Sequence, residues 1–477
     1  MWMPEFLYRF RSLNSLLGKR QELENQEIFF AAPYQLNDPI EGFKDIFWCG
    51  DEIVWKNLLK HYLLCLERVC TLLILSRETD EIRALDIPVF NTERDLPTEK
   101  YKESFKAICK KFFENKATAQ YANMLSLLKR PVRRDELIWH LRQLHCYALC
   151  SIFTYYENQR FIRKSDGNIP FRKLIEKILI DPQTRKGFNK IIQNPSVDGK
   201  ISDQIWATIN NFHYQLHLIN KYNQASTPLP QNKEMVFFLF PEHYVRELEK
   251  IVHPNWFTAC FLVNINNPAI WGHYGDRHRG VCLKFKPRSL NGKPIIKLKG
   301  VESQSARSRK EVSFQFHKVT YSKDYPQIDF FRSLGRLPIP ALQSFWYKNE
   351  FGEESICSDE IFRNEDRWRK KYWEDFYGGI TTKLNDWSYE DEYRLILSEV
   401  ATDFTLEEHR KYQYSLDDLD GIIFGINTPI EDKMRIFKII EDKCRKNGRD
   451  RFKFYQAFYS RGESQISIFE MNLLKFK

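Results

Sequence analysis

The spacing of apolar positions changes twice along the chain. Residues 5–12 alternate, with Phe6, Tyr8 and Phe10 on one side and Leu7, Arg9 and Arg11 on the other, as in a short strand. Residues 13–25 set Leu13, Leu16, Leu17 and Leu23 at helical spacing, and 26–32 reads as a second strand ended by Pro33. Asn37-Asp38-Pro39 marks a turn, because Asx residues before proline favour turn initiation. Beyond about residue 50 the spacing becomes three and four. Segments 51–77, 98–128, 134–157, 170–192, 202–222 and 242–252 predict helices; in 134–157 the stripe is Leu137, Leu141, Leu144, Ala148 and Ile152. From Trp256 strand signals return, in 257–263, 280–285, 311–321, 393–398, 421–425 and 452–458. Residues 326–380 read as a smaller helical insertion, and 429–446 as a helix opened by Pro429 with Thr428 as cap.

These elements predict an α+β fold with a split antiparallel sheet at its core. The core is discontinuous: residues 1–48 form its first part and 251–477 its second, with a helical insertion over 49–250 and a smaller one over 326–380. Its two parts must then meet in space.

Composition changes this picture little. A chain of 477 residues can bury a full core without staples, and aromatic content of 15% points to a phenylalanine-rich one. The formal charge of +10 permits an anionic partner without demanding one. Ten cysteines form no C-x-x-C pair and no zinc spacing, which predicts reduced core thiols and a cytoplasmic protein. Neither a signal-length apolar run at residues 1–11 nor a stretch of about 18 apolar residues is present, so no membrane partner is expected.

The sequence holds no P-loop, no G-x-G-x-x-G, no G-x-S-x-G and no H-E-x-x-H. His213 and His217 share a helix face at i, i+4 with no third ligand in evidence, so no metal site is expected. Four dense polar segments at strand ends carry the candidate chemistry. Arg9 and Arg11 are fork-shaped donors on one strand face, suited to phosphate or carboxylate. Asn37 and Asp38 sit in the turn that leads to Glu41, where an Asx side chain can also bond its own backbone. Trp271-Gly272-His273-Tyr274 and Asp276-Arg277-His278 combine rings able to stack on a base with imidazoles able to move a proton. Finally, Glu390, Glu392 and Arg394 would share one face of a strand. Two adjacent carboxylates there need a cation, and can then act as acid or base or stabilise developing positive charge.

As an ordered set these segments resemble family 2971 of the domains of unknown function. The pieces are Leu-Tyr-Arg-Phe-Arg-Ser, Asn-Asp-Pro-x-Glu, Trp-x-His-Tyr-Gly-x-x-His-x-Gly-Val-Cys-Leu and Trp-x-Tyr-Glu-x-Glu-Tyr-Arg-Leu-Ile. Val319-Thr320-Tyr321-Ser322 and Ile423-Phe424-Gly425 are similar to later core strands of that family. Ile40 stands where the family more often has Phe. More loosely, the order of elements resembles ADP-ribosyltransferases, whose core is a split sheet. That resemblance implies NAD as substrate. Arg9 or Arg11 would hold its ribose or phosphate, Tyr274 and Trp271 would stack on nicotinamide, and Glu392 would stabilise the oxocarbenium-like transition state. Glu390-x-Glu392 resembles the Glu-x-Glu pair of arginine-modifying members. The Ser-Thr-Ser element of those enzymes has no counterpart here.

The expectation is therefore an NAD-dependent ADP-ribosyltransferase-like effector of toxin or anti-phage type, acting on a protein or nucleic-acid target. Two other classes fit the same residues. One is a metal-dependent nuclease or nucleic-acid-binding effector, with Asp38, Glu390 and Glu392 as ligands and the basic runs 129–134 and 445–451 as target contacts. The other is a non-catalytic sensor that binds a ligand without turning it over.

Overall fold

The computed structural model describes residues 3–476 except 39, 77–79, 117, 129, 164–198, 224–230, 302–308 and 400–403. The helix expected over 170–192 lies outside the described residues. The chain forms a mixed α/β structure of two compact units. The first comprises 1–44, 254–326 and 376–477, the second 45–253 and 327–375.

The first unit is built on an eight-stranded sheet: β1 (Leu7–Arg11), β2 (Trp256–Leu262), β3 (Val281–Phe285), β4 (His317–Lys318), β5 (Glu392–Ser398), β6 (Leu419–Phe424), β7 (Lys453–Ser460) and β8 (Gln465–Glu470). Its spatial order is β4-β5-β2-β1-β3-β6-β7-β8. Neighbours are antiparallel except β6 and β7. That parallel pair corrects the expectation of an antiparallel sheet, and it follows from the crossover helix α2 (Ile430–Asn447) between the two strands. The period of two sorts the strands onto two faces. Leu7, Phe261, Leu283, Leu395 and Ile422 pack with Ile436 and Ile440 of α2. Phe10, Leu262, Cys282 and Ile423 pack with Ile270 and Trp271 of α1 (Pro268–His273). The side chain of Asn267 starts α1 by accepting from the Ala269 amide at 2.8 Å, with Pro268 at the first helical position.

The second unit holds the long helices Glu52–Leu75 and Arg134–Asn158 around an aromatic core that includes Trp48, Trp55, Trp139 and Trp346. A three-stranded sheet joins Gln327–Asp329, Asp45–Trp48 and Val132–Arg133. Its buried histidines are structural: His61 bridges the Tyr244 hydroxyl and the Val89 carbonyl, and His145 bridges Tyr62 and the Val236 carbonyl.

Several elements differ from the sequence expectation. The helix expected over 13–25 breaks into Leu13–Leu17 and Glu22–Asn25, because Gly18 closes the first and Gln21 adopts φ 49°. Segment 98–128 becomes Glu99–Phe113 and Tyr121–Ser126, with the Thr118 hydroxyl taking the Phe112 carbonyl at the break. Thr428 does not cap α2; its hydroxyl donates to the Gly280 carbonyl at 2.8 Å. Among the described residues no helix is long and apolar enough to cross a membrane.

Candidate functional site

Sheet register decides which side chains meet. Tyr8 pairs with Leu262 on β2 and with Lys284 on β3, and Leu262 pairs with Glu392 on β5. Directly paired residues point to the same face. One row on the α1 face therefore reads Glu392, Leu262, Tyr8, Lys284, and the next Arg394, Cys260, with Phe10 and Cys282 farther along.

At the β5 end of this face five buried charged groups converge. Lys383 comes from the short strand Thr382–Leu384, which runs parallel to Thr320–Ser322. Its ammonium donates to Glu390 Oε2 at 2.7 Å, lies 3.5 Å from Glu392 Oε2 and 3.8 Å from Glu41 Oε1. Arg394 donates through Nε to Glu392 Oε1 at 2.9 Å, through Nη1 to the Ile380 carbonyl at 2.7 Å, and through Nη2 to Glu41 and Glu392. The Tyr274 hydroxyl donates to Glu390 Oε1 at 2.5 Å, and the Tyr321 hydroxyl accepts from the Glu392 amide at 2.9 Å. Glu390 is 0% exposed, Arg394 1%, Lys383 and Glu392 2%, and Glu41 9%.

Local backbone chemistry delivers these groups. Glu390 is not in the strand, contrary to expectation. It ends the 3₁₀ turn Asn385–Glu390, and Asp391 at φ 42° swings the chain into β5. Glu41 follows a turn in which Asp38 Oδ1 accepts from the Ile40 amide at 2.9 Å. Gly42 then leaves at φ +83°, where a Cβ would come within 2.8 Å of the Trp256 ring.

Three carboxylates face two cations, so the cluster carries one excess negative charge when every group is ionised. Burial pushes Glu392 up to about 7, against the opposing pull of Lys383. Lys383 is pushed up: burial acts against its charge, but Glu392 and Glu390 outweigh it. Tyr274 rises through burial first and Glu390 second. Burial lowers Arg394 to about 9, which still leaves it charged at neutral pH.

The candidate residues divide accordingly. Tyr274, Glu390, Glu392 and Arg394 come together. Arg9 and Arg11 do not join them, because strand alternation turns both to the opposite face. Arg9 donates to the Phe29 carbonyl at 2.9 Å and lies over the Phe261 ring, while Arg11 pairs with Glu22. Tyr8 holds the first-strand place on the α1 face. Trp271 offers no open surface for stacking: it is 0% exposed, edge-on to Phe10, with its indole donating to the Ile265 carbonyl at 2.8 Å. His278 stacks on it, with ring centroids 6.5 Å apart. Asn37 is exposed, and Asp38 serves its own turn. His273 is exposed beside Trp387, centroids 6.3 Å apart. Trp387 in turn covers the Lys383 ammonium at 4.6 Å.

Sequence reasoning named Glu41 and Trp387 only as members of their segments, and missed Lys383 and Tyr321 as site residues. A signal for Lys383 existed in outline, since two neighbouring carboxylates require a cation. Nothing in the sequence pointed to position 383 as its source.

The loop after α1 is held in an unusual backbone. Asp276, Arg277 and His278 adopt φ 51°, 56° and 65° in succession. Left-handed backbone costs a non-glycine residue roughly 1–2 kcal/mol. Amides of Arg277 and His278 bond the Gly272 and Trp271 carbonyls at 3.2 Å, and the Gly280 amide bonds the Gly275 carbonyl at 2.8 Å. A Cβ on Gly425 would lie 2.3 Å from the His278 carbonyl oxygen.

The arrangement provides a buried glutamate able to exchange a proton near neutrality, a phenol bonded to its neighbour and an aromatic rim of Trp387, Tyr389 and Tyr274. Asp38, Glu390 and Glu392 do not form a ligand set: Asp38 is used in its turn, and Lys383 and Arg394 occupy the glutamate oxygens. Among the described residues no cluster of three or more His, Cys, Asp or Glu side chains is arranged for a metal.

No curated protein and no solved structure matches the chain. The model of a family described as "Protein of unknown function (DUF2971)" matches residues 270–395, the span from α1 to β5 that supplies Tyr274, Tyr321, Lys383, Glu390, Glu392 and Arg394. Over that segment the chain is similar to the DUF2971 family.

Proposed function

We propose that this protein is an ADP-ribosyltransferase-like enzyme that cleaves the nicotinamide–ribose bond of NAD and passes ADP-ribose to a protein or nucleic-acid target. The observation that carries the reading is the Glu390/Glu392 pair set against the Tyr274 hydroxyl, under a rim of Trp387 and Tyr389. An ionised carboxylate on a rigid strand end is suited to stabilising positive charge that develops on a ribose as nicotinamide leaves. The residues fit the substrate in part. Tyr274, Trp387 and Tyr389 are half-buried rings able to flank a planar base, and exposed His273 borders them. Trp271, Arg9 and Arg11 are left out of this version of the site. Residues 45–253 and 327–375 are then available to read a target or a trigger, as a toxin or phage-defence effector requires. Expression that leaves host cells unharmed, with and without phage, argues against that role.

The near-complete enclosure of the five charges favours a second reading, a ligand sensor in which the same network is a fixed scaffold. One experiment separates the two. Purified protein is incubated with NAD and cell extract in EDTA, beside Glu392→Gln. Nicotinamide release by the wild type and not by the variant is expected. Equal release by both, or none by either, rejects the transferase reading.

A further inference from the structure

We propose that Lys383 is the positioning residue of this site: its ammonium, in reach of three buried carboxylates, favours the ionised form of Glu392 and aims Glu390 at the Tyr274 hydroxyl. The activity arm of this inference rests on the transferase reading. The inference itself rests on geometry. Among the described residues Lys383 is the one cation bonded to Glu390, at 2.7 Å, and it also reaches Glu392 and Glu41. Arg394 cannot replace it, because its donors are committed to Glu392, Glu41 and the Ile380 carbonyl. The groups facing the pair are Tyr274 from the end of α1, Cys260 from β2, Tyr321 from Thr320–Ser322, Lys383 from Thr382–Leu384, Tyr389 from the turn Asn385–Glu390, Arg394 from β5 and Glu41 from its turn. Without Lys383 three carboxylates share one guanidinium in a dry setting, and Glu392 holds its proton to higher pH.

The test follows the protonated-carboxyl C=O band of the pair by infrared titration in wild type, Lys383→Met and Lys383→Arg. Glu390→Gln and Glu392→Gln identify the band. This arm needs no NAD. The band is expected to persist at least about one pH unit higher in Lys383→Met, and Lys383→Arg to restore the wild-type titration. The acid limb of nicotinamide release should move with it, giving about fivefold less release at pH 7 for the first unit of displacement. Glu41→Gln removes a competing carboxylate and should move the band to lower pH, which provides the test if Lys383→Met does not fold. Coincident titrations of wild type with Lys383→Met, or with Glu41→Gln, overturn the inference. A displaced band with no nicotinamide release in any variant supports the positioning role and rejects the transferase reading alone.

Discussion

Replacing Arg394 by leucine removes the guanidinium that joins Glu392, Glu41 and the Ile380 carbonyl. The site is 1% exposed, so water cannot take over those bonds. Removing one partner of a buried ion pair costs about 3–5 kcal/mol, chiefly because a desolvated charge is left behind. The deficit must depend on pH. Glu392 already titrates at about 7 in the fold, above an ordinary glutamate at roughly 4.3. A group raised in this way contributes stability that is fully present below the unfolded value and lost as pH rises through the folded one. Loss of Arg394 raises Glu392 further and widens that window. The variant should therefore be weakest at pH 8 and should recover at least ~1 kcal/mol at pH 5, where the released carboxylates take up protons. Because a chain of two compact units need not unfold in one step, the assay is hydrogen–deuterium exchange of peptides covering β5 and β2. Arg394→Leu combined with Glu41→Gln and Glu392→Gln should exchange more slowly than the single variant, since the stranded charges are gone. Equal deficits at pH 5 and pH 8, or a triple variant no better than the single, refute the reasoning.

Other expectations follow from the same geometry. Tyr274→Phe deletes a hydrogen bond to a carboxylate and should cost about 1.5–3 kcal/mol in urea melts; an unchanged midpoint denies that the bond forms in solution. Arg277→Gly relieves a left-handed backbone at an exposed position and should stabilise by about 1 kcal/mol in thermal melts. Destabilisation there would mean that the arginine side chain contributes more than the backbone strain. Gly425→Ala drives a methyl toward the His278 carbonyl and should cost about 1–3 kcal/mol, with a wild-type melting curve counting against the close packing.

The legible part of this fold was periodic. Alternation in residues 5–12 placed Leu7 and Arg9 on one face and Tyr8 and Phe10 on the other, and the same alternation explains why the two arginines miss the glutamates. What alternation does not carry is which face receives the helix Pro268–His273, because that depends on pairings across some 250 residues. Glu390, Glu392 and Arg394 were legible as a cluster through their spacing, although the structure assembles them by a turn rather than by one strand. Lys383 and Glu41 were illegible as partners for a different reason. Ion pairing is a contact between elements: Glu41 lies in the polar turn segment 37–41 and Lys383 in no pattern, and neither announces its partner. Trp271 was misread because an indole beside glycines looks like a stacking surface, whereas its ring fills the sheet face. Strand β8, Gln465–Glu470, lies at the sheet edge, and only half of its residues are apolar.

The central position of β1 has a consequence for biosynthesis. Both of its neighbours, β2 and β3, are encoded far downstream, β2 about 245 residues later. At roughly 5–20 residues per second, about 12–50 s pass between emergence of β1 from a ribosome and the appearance of its first partner. During that interval Leu7 and Phe10 are exposed on a strand with two unsatisfied edges, the situation in which nascent chains are captured by chaperones or pair wrongly. The polar ends of the Arg9 and Arg11 side chains, read first as ligand donors and found instead against a carbonyl and Glu22, then gain an earlier role. They keep a solitary strand charged and wet until the sheet can close around it.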